Sequence, residues 1–269
     1  MRILMRLFHS GLLLACLTPL NAANAQVRSE SQDEAVAALQ KIGIHISFGR
    51  NSPHKVVAVR SSNKELTDTA LVHFKHLPDL EWVWIAHSQV TDAGLENLSG
   101  LTRLETLALQ GTQITGTGLK HLNGSKTLKH INLNKTPVND IGVSELAGLT
   151  RLETMSLHGT NVTNGGLKFI NRLTNLKSLT LSGTQVTGMG LEHLKGMTEL
   201  DGLSLESTKL ADAGMEHLQN LKNLRWLNLS DTQVTDVGMG HLKGLTNLRS
   251  LSFSGTGVTD VGMAHLEPF

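Results

Sequence analysis

The chain has 269 residues, 24 Lys+Arg against 23 Asp+Glu, and only 3% aromatic residues, none of them tyrosine. Such a length buries a substantial core. Near-neutral charge without a basic cluster excludes an electrostatic footprint for nucleic acid or an anionic membrane, and the scarcity of aromatics argues against a base-stacking platform.

Residues 1–25 read as a secretory signal peptide. Arg2 and Arg6 supply its charged start, Leu7 to Leu20 its apolar stretch, and Ala23-Asn24-Ala25 a small-x-small cleavage signature before Gln26. Export to a periplasm, cell envelope or medium is therefore expected. Leu13-Leu14-Ala15-Cys16 also resembles a lipobox, which would instead anchor the chain through a lipid on Cys16. No run of the sequence reaches the ~18 apolar residues of a membrane-spanning helix. Cys16 is the single cysteine, so disulfides have no part in the mature fold.

Residues 26–55 read as an N-terminal cap of helix plus strand. Ser31-Gln32-Asp33-Glu34 is a capping box opening a helix that Gly43 terminates. Ile44 to Phe48 and Val56 to Val59 read as strands joined through Asn51-Ser52-Pro53, and a first, atypical coil carries a helix over Thr67 to His76.

From there internal self-similarity dominates. Leu80, Leu104, Leu128, Leu152, Leu176, Leu200, Leu224 and Leu248 stand 24 residues apart without insertion or deletion. The shared pattern is LxxLxLxxTxVTDxGLxHLxxL, so residues 56–269 form an array of one atypical and eight regular repeats. In the fifth copy Leu176, Leu179 and Leu181 include the period-two alternation of a half-buried strand, while Leu191, Leu194 and Met197 follow at helical spacing. That predicts one strand, one turn and one two-turn helix per copy. A hydroxyl column (Ser88, then Thr112 and its six successors) stands where each chain leaves the sheet, placed to satisfy backbone groups. A glycine column runs from Gly94 through Gly118, Gly142, Gly166, Gly190, Gly214 and Gly238 to Gly262. It implies either close backbone approach or a special dihedral. The third copy is the least regular, with Ser125 at a leucine position and Pro137, Asn139 and Val143 off pattern. At the far end Glu267-Pro268-Phe269 is the candidate cap.

The pattern resembles leucine-rich repeats, most closely the cysteine-containing subclass whose repeats carry a T-D-x-G-L segment, as found in exported bacterial arrays. The resemblance covers roughly residues 56 to 269, and this chain has Thr where the subclass has Cys. It implies an α/β, right-handed, curved solenoid, with a parallel sheet on the concave face and short helices on the convex one.

Chemistry has little foothold. His73, His121, His193, His217, His241 and His265 share one repeat position, but helices of neighbouring coils pack roughly 8–10 Å apart. Two imidazoles on one zinc each need about 2.0–2.1 Å. His73 and His76 form a second pair without a third ligand. Gly116-Thr117-Gly118 and Gly188-Met189-Gly190 lack the third glycine of a dinucleotide motif, and no nucleophile elbow, P-loop or zinc-protease helix is present. The reading is a protein without catalytic residues, metal or cofactor. Asn97, Asn123, Asn134, Asn161 and Asn228 lie in N-x-S/T sequons.

Function is then expected on the surface. Residues flanking the inward strand leucines face away from the core, which assigns to the concave face Trp82, Trp84, Gln110, His130, Asn132, Asn134, His158, Glu206, Trp226 and Asn228. These include all three tryptophans of the chain. Extended concave surfaces of solenoids bind partners, so a protein partner is expected, with a glycan or cell-wall ligand or self-association as alternatives.

Overall fold

A computed structural model describes residues 31–266. The leader, the lipobox at Cys16 and the terminal cap at 267–269 lie outside the described residues. Helix α1, over 31–41, opens the described chain, and Ser31 is already helical rather than a cap before the first turn. Gly43 ends it as expected. With φ at 81°, Gly43 donates its N–H to the Gln40 carbonyl and Ile44 donates to that of Leu39, the paired closure that a left-handed residue permits.

Ten strands form one sheet in sequence order. They are β1 (His45–Gly49), β2 (Ser52–Ser61), β3 (Trp82–Ile85), β4 (Thr106–Ala108), β5 (His130–Asn132), β6 (Thr154–Ser156), β7 (Ser178–Thr180), β8 (Gly202–Ser204), β9 (Trp226–Asn228) and β10 (Ser250–Ser252). The hairpin β1–β2 is antiparallel, and every later pair is parallel. From β3 onward the pairing sets each residue beside its counterpart 24 positions on, as Leu179 lies beside Leu203 and Leu203 beside Leu227. The sequence columns are therefore physical rows. The inward row Val83, Leu107, Ile131, Met155, Leu179, Leu203 and Leu227 is buried and joins the helix-side leucines in one continuous core.

The return segments are short helical turns, and several differ from the expected two-turn α-helix. In the fifth coil the whole of Gly188–Leu194 is 3-10 helix, whereas Asn164–Ile170 in the fourth is α-helical. A segment this short buries one face with either i→i+3 or i→i+4 bonds. The threonine column acts within its own coil: Thr112, Thr136, Thr160, Thr184, Thr208 and Thr232 each donate to the carbonyl three residues back, at 2.6–2.7 Å. The residue before each threonine takes a left-handed conformation, whether glycine (Gly111, Gly159, Gly183, Gly255) or not (Lys135, Ser207, Asp231).

The glycine column marks close approach, since none of Gly94 to Gly262 in it has a left-handed φ. A Cβ on Gly238 would meet Asp212 Oδ1 at 2.5 Å, and one on Gly166 would meet Asp140 Oδ1 at 2.7 Å. Those carboxylates belong to a ladder between coils. Asp212 accepts from the Thr235 N–H at 2.7 Å, the Thr235 hydroxyl at 2.6 Å and the Gly238 N–H at 3.1 Å. Asp68, Asp92, Asp140 and Asp236 bridge to Thr91, Thr115, Thr163 and Thr259 in the same manner, and Asn164 bridges to Thr187. At two junctions the acid is replaced by Gly116 or Gly188. The residue it would have bridged is then Asn139 or Ala211 rather than threonine. There, backbones pack directly: a Cβ on Gly188 would fall 2.5 Å from the Gly214 Cα, and one on Gly142 would fall 2.7 Å from the Gly116 Cα. Every junction is thus closed by a side-chain bridge or by glycine on glycine. The odd Asn139 of the third copy finds another use, capping its own helix through the Ile141 and Gly142 N–H groups.

Candidate functional site

The outward side chains of β3 to β10 make up the open face of the sheet. Trp82 and Trp84 alternate with the buried Val83 and Ile85, so both project from β3, 57% and 43% exposed. The cap hairpin leaves them uncovered. Arg60, paired beside Trp84 across the β2–β3 ladder, lays its guanidinium 4.7 Å from the indole centroid, a cation–π contact. Trp226 occupies the row of Trp82 six strands further on, 37% exposed, with its indole edge over Gly202 of β8. Six strand steps of about 4.8 Å separate the two positions by about 29 Å. Between them, apart from His130 and Asn132, the rows hold short side chains: Thr106, Thr154 and Ser178 in one, Ala108, Ser156 and Thr180 in the next.

The polar members of this face are largely engaged with one another. Asn134 Oδ1 accepts from the Ser156 hydroxyl at 2.7 Å and the His158 N–H at 2.8 Å, while Asn132 Oδ1 accepts from the Asn134 N–H. His130 Nδ1 and the Thr154 hydroxyl are 2.8 Å apart. Asn228 donates to Glu206 at 3.0 Å and accepts from the Ser230 N–H, and the Ser182 and Ser204 hydroxyls meet at 2.6 Å. Gln110 differs, its buried Oε1 having no partner among the described residues. The structure therefore brings all ten sequence-derived residues onto one face, but in two groups: exposed tryptophans on β3 and β9, and a half-buried floor in which most polar side chains, Gln110 excepted, are bonded to one another.

One margin of the face carries charge. Arg103 pairs with Glu81 at 2.9 Å and Asp79 at 3.5 Å, Lys129 with Glu105 at 3.2 Å, and Lys177 with Glu153 at 2.7 Å. The Lys177 hydrogen bond holds the Glu153 carboxyl below its ordinary range and raises the Lys177 ammonium above its own. A cleft of about 990 Å³ lies elsewhere, between α1 and the first coil, lined by Phe48, Pro53, His54, Lys75, His76 and Asp79. Its polar groups are partly paired, the Ser31 hydroxyl with His76 Nδ1 at 2.6 Å and Lys55 with Asp79 at 3.3 Å. Among the described residues no three His, Cys, Asp or Glu stand close enough to share an ion, and no helix is long and apolar enough to cross a membrane. Asn97 is buried and donates its amide to the Gly94 carbonyl, so its sequon is out of reach in the folded chain.

Sequence reasoning missed a second exposed row. The variable residue of the T-D-x-G-L segment is Ile141, Met189, Val237 and Val261 in four coils, each more than half exposed. The signal was present, as an aliphatic residue at a helix start, preceded by Asp at Ile141, Val237 and Val261 and by Gly188 at Met189, and followed by Gly in each case.

The leucine-rich repeat region family matches residues 91–267. No curated protein matches the chain. Among solved structures, internalin C2 of Listeria monocytogenes superimposes with a TM-score of 0.58 at 24% identity, over 78% of this chain and 77% of that one. An internalin (inlF) of the same organism gives 0.51 at 22%, over 88% and 79%. A TDR receptor gives 0.57 at 18%, over 76% of this chain and 35% of that one. A parallel sheet built one strand per 24 residues, with the family match across more than half of the sequence, settles the assignment: this chain belongs to the leucine-rich repeat proteins.

Proposed function

We propose that the protein is an exported, non-catalytic binding module that takes a protein partner on the open face of its sheet. The observation that carries this reading is the exposure of all three tryptophans on that one face. Tryptophan is the side chain with most to gain from burial against a partner, and it is enriched at interaction hot spots. A protein is favoured over a glycan because Asn132, Asn134, His130, Asn228 and Glu206 are already bonded within the floor. A sugar polymer would need those groups free to read its hydroxyls, whereas a protein surface can lay apolar side chains on the indoles. Export rests on the leader over residues 1–25 and its Ala23-Asn24-Ala25 signature.

The test is capture from envelope extract with wild-type, Trp84→Ala and Trp226→Ala proteins, run beside a polysaccharide panel. Specific protein bands present with wild type and lost with the variants, at melting temperatures within about 1–2 °C, support the reading. The same bands with all three proteins move the site off this face, and retention on polysaccharide alone replaces the protein partner with a glycan.

A further inference from the structure

The exposed row on the helix side of the array lies far from the tryptophans in sequence register, and nothing in the fold needs it. Met189, Val237 and Val261 are 78%, 70% and 67% exposed, more than any tryptophan, and Ala213 completes the row in the coil between Met189 and Val237. Single exposed aliphatics are ordinary, whereas a contiguous row marks an interaction surface. Here the row is contiguous. Isolated parallel bridges join Thr187 to Lys209, Ala211 to Gln233 and Thr235 to Gly257. They hold the backbones of the last four coils at strand spacing just before the row, so its members follow one another at about 5 Å, over about 15 Å in all.

The surroundings of the row are acidic. Asp212, Asp236 and Asp260 directly precede Ala213, Val237 and Val261, and Glu192 and Glu216 stand three residues after Met189 and Ala213, on the same side of the helical turn. Basic groups near the ridge are Lys209 on the segment before the turn, His265 near Asp236, and His193 and His217, whose Nε2 atoms lie 3.7 and 3.8 Å from the neighbouring Glu192 and Glu216. The Asp236 carboxyl is held ionised by the Thr259 N–H and hydroxyl. An aliphatic ridge walled by carboxylates repels an anionic bilayer and attracts cations.

We propose that Met189, Ala213, Val237 and Val261 form a second docking ridge, separate from the sheet face, for a short basic amphipathic segment of a partner protein. Fifteen ångströms is the length of about ten helical residues. Such a segment sets its apolar stripe on the ridge and its lysines or arginines against Glu192, Glu216 and Asp260.

The experiment uses fluorescently labelled peptides of about ten residues and follows anisotropy. One carries leucine and lysine at helical spacing, a second leucine and glutamate, a third the same lysines with serine for leucine. The Leu/Lys peptide is expected to bind in a salt-sensitive manner and the other two not. Val237→Ser with Val261→Ser should weaken it by about tenfold or more, with an unchanged melting temperature because both side chains are exposed. Trp226→Ala should leave this binding untouched, which separates the ridge from the sheet face. Equal binding of the Lys/Ser peptide, or undiminished binding in the double variant, overturns the proposal. So does flotation with phosphatidylglycerol vesicles that is lost in the double variant, which would make the ridge a membrane contact.

Discussion

Replacing Asp92 with alanine removes one carboxylate and four hydrogen bonds. Its Oδ2 accepts from the Thr115 N–H at 2.9 Å and the Thr115 hydroxyl at 2.6 Å, and its Oδ1 from the Gly116 and Gly118 N–H groups, each at 2.9 Å. Thr115 is exposed, so water takes over its two bonds at little cost. Gly116 and Gly118 are buried, and their N–H groups are left without an acceptor. A stranded buried donor costs about 1–3 kcal/mol, so two predict a loss of about 2–6 kcal/mol for Asp92→Ala. Asp92→Asn should lose less, about 1 kcal/mol, because the chain already runs the amide version: Asn164 accepts from the Thr187 N–H and donates to its hydroxyl, both at 2.9 Å. Burial, the largest single influence, pushes the Asp92 carboxyl up, but the bonds from Thr115, Gly118 and Gly116 together outweigh it and hold it below its ordinary range. A carboxyl depressed in the folded state stabilises fully above its unfolded pKa of about 3.9 and loses that contribution as pH falls through the folded value. The gap between wild type and Asp92→Ala should therefore be constant from pH 7 to about pH 5 and narrow below about pH 4. Urea unfolding gives the gap, and hydrogen exchange at Gly116 to Leu119 localises it, which matters in an array whose coils need not unfold together. The reasoning fails if Asp92→Ala is no worse than the exposed control Glu96→Ala, or if the gap is the same at pH 3 as at pH 7.

Three further outcomes are expected. Leu179→Ala and Leu227→Ala, each emptying a fully buried inward site, should cost ~2–5 kcal/mol in urea unfolding, against under ~0.5 for Lys177→Ala. Gly188→Ala should lower the melting temperature because its Cβ would fall on backbone, 2.5 Å from the Gly214 Cα; Gly196→Ala, with nothing within 4 Å, should leave it unchanged or raise it. Mass spectrometry of the exported protein should find Gln26 at its N-terminus; a lipid-modified Cys16 would establish the anchored form instead, and a retained Met1 would refute export by either route.

The 24-residue period made the fold legible, because inward leucines and outward tryptophans alternate over each strand in the same phase. Trp82, Trp84 and Trp226 were placed on the open face by that alternation alone. The left-handed position was hidden because His87, Lys135, Ser207 and Asp231 share it with four glycines, so no single residue type marks the row. The helical type was hidden too, since i+3 and i+4 spacing coincide over a single turn. Side-chain commitments lay beyond reach for a different reason. Asn134 and Asn228 read as free amides in a string of letters, and only the neighbouring strand shows that Ser156, His158 and Glu206 already use them. The Asp–Thr bridges were visible as two separate columns, but nothing local ties residues 23 positions apart.

That separation has a consequence for how such an array grows or is edited. Asp92 and Thr115, Asp140 and Thr163, and Asp212 and Thr235 each open and close one contiguous stretch of 24 residues. A cut before the acid and after the threonine removes both halves of a bridge together. Excising residues 92–115 leaves Asp68 still facing Thr91 and Gly116 still packed against Gly142. Excising 104–127, the same length counted from leucine to leucine, sets Asp92 against Asn139, a pairing found at no junction of the native chain. The natural module for duplication, deletion or grafting therefore begins at the helix start, one half-coil out of step with the leucines that advertise the repeat.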